Sequence, residues 1–175
     1  MAAMKTAVSR PAERPVLALS PSRFEIFLRF TTALGMLTFV YLLMKHFPTL
    51  PDRIPVHFNA AGEVDGWGSK SHLLVLFGLI VALTLLLTIL RRFPHKFNYL
   101  YPITPQNAEK QYRLACELLA LLQTEVVWLF TYVGWRMIIP AQQDAGRLSI
   151  LFLPVIIVIN VGTLIFYFVR SSRAR

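Results

Sequence analysis

Two groups of side chains in this sequence are of types that can carry chemistry. The first lies within apolar sequence: Glu125, Asn160 and Thr84. An acidic side chain in the middle of a membrane helix costs a few kcal/mol to insert, about +2.5 to +3.5 for aspartate. Such a residue is retained where it takes a proton or a polar ligand, or where it bonds neighbouring helices together. The second group is His57, Glu63, Asp65 and His72, within one polar stretch. A zinc site needs about four converging ligands, or three and a water. The spacing here fits no such motif, so no metal is predicted. His57 and Asn59 are expected to hydrogen-bond a turn, with the acids facing water. The sequence contains no nucleophile elbow, HExxH helix or phosphate loop. All four histidines fall near loops or helix ends, which argues against axial ligation of haem. The expectation is a non-enzymatic protein without a cofactor.

The elements that must position these groups are membrane helices. The chain of 175 residues is 55% hydrophobic and 15% charged, with a mean hydropathy of +0.55. The apolar excess is gathered into four blocks, at 27–43, 73–90, 118–139 and 148–169. A bilayer core about 30 Å thick takes roughly 17–25 apolar residues as a helix. Open strands would leave backbone groups unpaired in lipid. The fold class predicted is an all-α, four-transmembrane-helix bundle (22–175), preceded by a flexible cytoplasmic tail at 1–21. The first block is read as a retained helix, because Met1 to Pro21 is polar and no small-residue cleavage site follows the block. The single cysteine, Cys116, excludes an intrachain disulfide and is expected as a small buried side chain.

The net charge of +9 is explained by its positions. Arg23, Arg29, Arg91, Arg92, Lys96, Lys110, Arg113, Arg170, Arg173 and Arg175 flank the ends of blocks that share one side of the membrane. On the other side, residues 45–72 balance Lys45, Arg53 and Lys70 with Asp52, Glu63 and Asp65, and Asp144 balances Arg147. Lys and Arg collect on the cytoplasmic side of spans. Both termini and the 91–113 loop are therefore predicted in the cytoplasm, and the 45–72 loop outside. The same charge can meet anionic lipid headgroups. It forms no compact basic and aromatic surface for nucleic acid.

Local signals refine the helices. Ser22-Arg23-Phe24-Glu25 reads as a capping box. Ser69 or Ser71 can cap the second helix, and Thr104-Pro105 is expected to open the third. A third helix running from there to Pro140 would be longer than the bilayer, so its first turns should project from the membrane. Pro154 is expected to kink the fourth helix. On the third helix, Glu117, Leu121, Thr124, Glu125, Trp128, Tyr132 and Arg136 recur at three- and four-residue intervals and form one stripe facing the other helices. Counting rise per residue puts Glu125 roughly 10 Å inside the hydrocarbon. Asn160 and Thr84 fall at a similar depth, which predicts a Glu125–Asn160–Thr84 cluster.

The outer loop is ordered by its own chemistry. Pro51 and Pro55 favour extended neighbours. Val56 to Phe58 can run as a strand, Asn59 to Gly62 can turn, and Glu63 to Asp65 can return as a second strand. Gly66 and Gly68 let the chain bend around an interfacial Trp67. The stretch LPxxIPxHFNxxGxxDGWGSK, with Ile54, His57, Phe58 and Asp65 among its fixed positions, resembles a bacterial membrane domain of unknown function. That domain also forms the N-terminal part of SdpI-type immunity proteins, which protect cells against a secreted toxic peptide. The resemblance continues at Phe97-Asn98-Tyr99 and from Ile103 to Asn107, with Tyr101 before Pro102 as an irregularity. No stretch of the 175 residues resembles the additional C-terminal domain of full SdpI proteins.

The resemblance implies an immunity or envelope-stress sensor in the bacterial cytoplasmic (inner) membrane, with the outer loop receiving an extracytoplasmic peptide. An accessory subunit of a larger membrane complex is the alternative. A small transporter or proton relay built on Glu125 is the third reading. Membrane lipids are expected partners, together with a peptide or other membrane subunits, and nucleic acid is not.

Overall fold

The computed structural model describes residues 14–142 and 148–175. The charge balance of Asp144 and Arg147 falls outside them. Four helices carry the chain: α1 (Arg23–His46), α2 (His72–Leu90), α3 (Ala108–Gln142) and α4 (Phe152–Ser172). All four are long and apolar enough to cross a bilayer. Between α1 and α2 the chain forms an antiparallel hairpin, β1 (Arg53–Phe58) and β2 (Val64–Ser69). The strands are longer than the turn chemistry predicts.

Helix α3 is the hub. Of its most apolar stretch, 44% is buried, against 22% in α1, 11% in α2 and none in α4. The α1–α3 contact is close because small residues face large ones. A Cβ at Gly35 would lie 2.8 Å from Val127 Cγ1, and one at Gly134 only 2.5 Å from the Phe39 ring. Polar groups add interhelical bonds: Thr32 and Thr124 hydroxyls meet at 2.9 Å, and the Trp128 indole donates to the Thr31 carbonyl at 3.1 Å. Lipid offers no hydrophobic drive between helices, so small residues and hydrogen bonds must supply the contact. Phe39, Ile80 and Val127 join α1, α2 and α3 in one buried cluster.

Helix α4 is held differently. Its buried residues are Thr163 and Ser171. Both bond α3: Thr163 donates to Glu125 at 2.5 Å, and Ser171 donates to Gln111 at 2.7 Å. Arg170 lies 3.5 Å from Glu117, and Tyr132 stacks on Phe152. The stripe on α3 thus lies in the seam between α1 and α4, as Glu117 shows by also accepting from Ser22 at 2.7 Å.

Several helix boundaries differ from expectation. Ser22 caps α1 by accepting from the Glu25 amide, but Glu25 turns away to bond arginines, so only half the capping box forms. Ser71 precedes α2 without a side-chain cap bond. Helix α3 is regular from Ala108, and Thr104 caps the turn that leads into it: the Asn107 amide donates to the Thr104 hydroxyl, the Thr104 amide donates to the Asn107 side chain, and the Ala108 amide donates to the Thr104 carbonyl at 2.9 Å. Its first turns are covered: Tyr112 is fully buried beneath Tyr99, and Gln111 bonds the end of α4. Pro154 lies in the first turn of α4, where its missing N–H has no helical partner to lose, so no kink is required. Residues 14–20 of the expected tail form no regular element and lie against the α2–α3 loop and the start of α3. Arg14 donates to the Phe97 carbonyl, and the Ser20 carbonyl accepts from Arg113.

Candidate functional site

The hairpin is welded to the bundle by its own motif residues. Ile54 and Pro55 are buried, and Ile54 packs with Leu50, Leu73, Met137 and Ile138. Phe58 and Val56 lie against the same cluster. Pro51 is exposed, at the entrance to β1. The Asn59 side chain accepts from the amides of Ala61 and Glu63, each at 2.9 Å, and so fixes the turn. Gly62 has φ +79°, which side chains rarely adopt. A Cβ there would lie 2.3 Å from the Leu148 carbonyl oxygen. The Gly62 carbonyl accepts from the Leu148 amide at 2.7 Å, joining the hairpin tip to the approach to α4.

The outward face of the hairpin carries the polar and aromatic groups. The register is irregular on either side of His57, and His57 meets Asp65 at 2.5 Å, with both side chains exposed. Gly66 gives His57 room, since a Cβ there would lie 2.8 Å from the His57 Cβ. Gly68 similarly accommodates Val56 and His72. Trp67 is 52% exposed. Among the described residues no three His, Cys, Asp or Glu side chains converge in a metal-like group.

The predicted intramembrane cluster divides into two. Glu125 and Asn160 line one groove of about 510 Å3 between α3 and α4, walled by Trp128, Tyr132, Phe152 and Ile156. They are not bonded to each other: Glu125 accepts from Thr163, and Asn160 donates to the Ile156 carbonyl of its own helix at 3.0 Å. The second carboxylate oxygen of Glu125 is buried with no hydrogen-bond partner among the described residues. Thr84 is elsewhere. Its carbonyl accepts from Gln123 at 3.4 Å, on the α2 side of α3, and it lines a different cavity.

That second cavity, about 570 Å3 at the basic end between α1, α2 and α3, was not anticipated from the sequence. Arg91 is among its lining residues, with a side chain 7% exposed. The guanidinium lies 3.2 Å from Glu25, 3.2 Å from Thr88 and 2.8 Å from the Gln123 side-chain oxygen. Arg29 shares Glu25 at 2.6 Å. Burial pulls Arg91 below the ordinary arginine pKa, and Glu25 pushes the other way. One signal was present in the sequence: Thr84, Thr88 and Arg91 recur at helical spacing on α2 and form a polar stripe.

The fold and its sites define a polytopic membrane protein whose hairpin caps one end of a four-helix bundle. Residues 33–82, from within α1 through the hairpin into α2, match the family model of a domain of unknown function, DUF1648. An uncharacterized protein of Archaeoglobus fulgidus is 26% identical over 148 residues, covering 78% of this chain and 80% of that one. No solved structure matches this chain.

Proposed function

We propose that this chain is a non-enzymatic sensor of the immunity or envelope-stress type in a prokaryotic cytoplasmic membrane. In this reading the basic end faces the cytoplasm, the side on which Lys and Arg collect. The hairpin meets an extracytoplasmic peptide through Trp67 and the exposed His57–Asp65 pair, and α4 responds. The observation that carries the reading is the bond from the Leu148 amide to Gly62. It ties the tip of the outer cap to the helix that is least buried in the bundle. Helix α4 rests on α3 through discrete polar contacts, Thr163–Glu125 and Ser171–Gln111. Interhelical hydrogen bonds in membranes average about 0.6 kcal/mol, so a ligand with a modest preference for one arrangement can shift such a helix.

The test is a deletion strain challenged with a panel of secreted amphipathic toxic peptides. Sensitivity to at least one peptide is expected, restored to resistance by the intact chain and not by Trp67→Ala. Equal resistance of deleted and complemented cells to the whole panel, with other chains co-purifying stoichiometrically in mild detergent, would replace the sensor with an accessory subunit. A second reading rests on the Glu125 oxygen that has no partner among the described residues, which in an apolar groove suits a proton or a small polar ligand. It requires a flux, in reconstituted vesicles, that Glu125→Gln abolishes while the protein still folds.

A further inference from the structure

The cavity at the basic end is unlike an ordinary gap between helices. Its lining includes Arg29, Arg91, Arg92 and Arg113, and the carboxylate among the lining residues is Glu25. Arg113 is held by Glu109 at 3.1 Å and by the Ser20 carbonyl at 2.9 Å. Setting it aside leaves Arg29, Arg91 and Arg92 against Glu25, an excess of two positive charges. Arg92 forms no ion pair among the described residues. Arg91 is the decisive group: its side chain is more than nine-tenths buried, and its Nε has no hydrogen-bond partner among the described residues. The carboxylate that offsets it, Glu25, is shared with Arg29, so the pair of guanidinium groups keeps an excess of positive charge. Thr88, Ser20 and Gln123 supply further hydrogen-bonding groups in the same lining. The volume, about 570 Å3, lies within the range of about 300–1,000 Å3 usual for small-ligand sites.

We propose that this cavity binds a phosphate-bearing anion, with Arg29 and Arg92 as the contacts and the buried Arg91 as fixed positive charge behind them. Guanidinium groups match phosphate oxygens in geometry and stay charged. The cavity opens where α2 ends and the basic loop begins, and runs back along α1 and α2 to Met36 and Thr84; the ends of spans are where a bilayer places its headgroups. The phosphate can therefore belong to an anionic phospholipid or to a soluble cytoplasmic phosphate compound. The site does not depend on the sensor reading of the hairpin.

The experiment uses the full chain, purified in an uncharged detergent and stripped of lipid. Native mass spectrometry measures retention of phosphatidylglycerol against phosphatidylcholine, and thermal unfolding measures inorganic phosphate against chloride at equal ionic strength. The variants are Arg29→Gln and Arg92→Gln, whose positions are exposed and should fold, with Lys96→Gln as the control outside the lining. Stoichiometric phosphatidylglycerol, weakened at least tenfold by both cavity variants and unchanged by Lys96→Gln, assigns the site to a lipid headgroup. Phosphate-specific stabilisation, lost in the same two variants, assigns it to a soluble anion. Binding that is absent in both arms, or that the cavity variants and Lys96→Gln alter equally, overturns the proposal.

Discussion

Replacing Gly62 with alanine tests the joint between hairpin and α4 at a single atom. At φ +79° a non-glycine residue costs about 1–2 kcal/mol. The new Cβ would sit 2.3 Å from a backbone oxygen of Leu148, which cannot rotate away as a side chain would. The tip must separate from Leu148 and lose a 2.7 Å hydrogen bond, worth about 1 kcal/mol. The sum, about 2–3 kcal/mol, corresponds to roughly a 30- to 150-fold rise in opening, at tenfold for each 1.4 kcal/mol. Amide hydrogen exchange in micelles reads this directly at Leu148, with the amides of α1 and α3 unaffected. Gly78→Ala is the control, because a Cβ there meets no atom within 4 Å. A Leu148 amide that exchanges equally in Gly62→Ala and the unaltered chain would refute the reasoning.

Other substitutions probe the bundle. Arg91→Met leaves Glu25 with Arg29 alone and strips Gln123 of its charged partner, so stability should fall by about 3–5 kcal/mol. Thermal unfolding in detergent measures it, and Glu25→Gln combined with Arg91→Met should recover part of the loss. Gly134→Leu places a large side chain where Phe39 already stands 2.5 Å from the Cβ position, and should separate α1 from α3. The readout is lost protection of the Trp128 indole, which bonds Thr31 across that interface. Glu125→Gln keeps an acceptor for Thr163, while Glu125→Leu removes it. The first should unfold within a degree or two of the unaltered chain, and the second should cost about 1 kcal/mol.

What the sequence made legible follows from the reach of each signal. The four spans are set by length and hydropathy, and the hairpin by local backbone chemistry at Pro51, Pro55, Asn59 and Gly62. The grouping of Glu125, Asn160 and Thr84 was not legible, because rise per residue fixes depth but not direction around the helix. Gln123 and Glu125 are two residues apart and therefore point about 200° apart at 3.6 residues per turn. Gln123 faces α2 and takes Thr84, whereas Glu125 faces α4. On α4 the same argument passes over Asn160 in favour of Thr163, three residues on. The Arg91 cavity was obscured for a different reason. Glu25 reads as a cap and Arg91 as a topogenic charge, and only the packing of α1 and α2 on α3 brings them to 3.2 Å.

The coupling of the hairpin to α4 is tested most directly by electron–electron distance measurement between spin labels. Cys116 is replaced by alanine, and labels are placed at Val75 on α2 and Val158 on α4, both exposed on the surface of the bundle. A second pair, Leu37 and Val75, reports on α1 and α2. With Gly62→Ala the α2–α4 distribution is predicted to shift or broaden, and the α1–α2 distribution to stay unchanged. Identical α2–α4 distributions with and without the substitution would contradict the claim that the cap holds α4 in place.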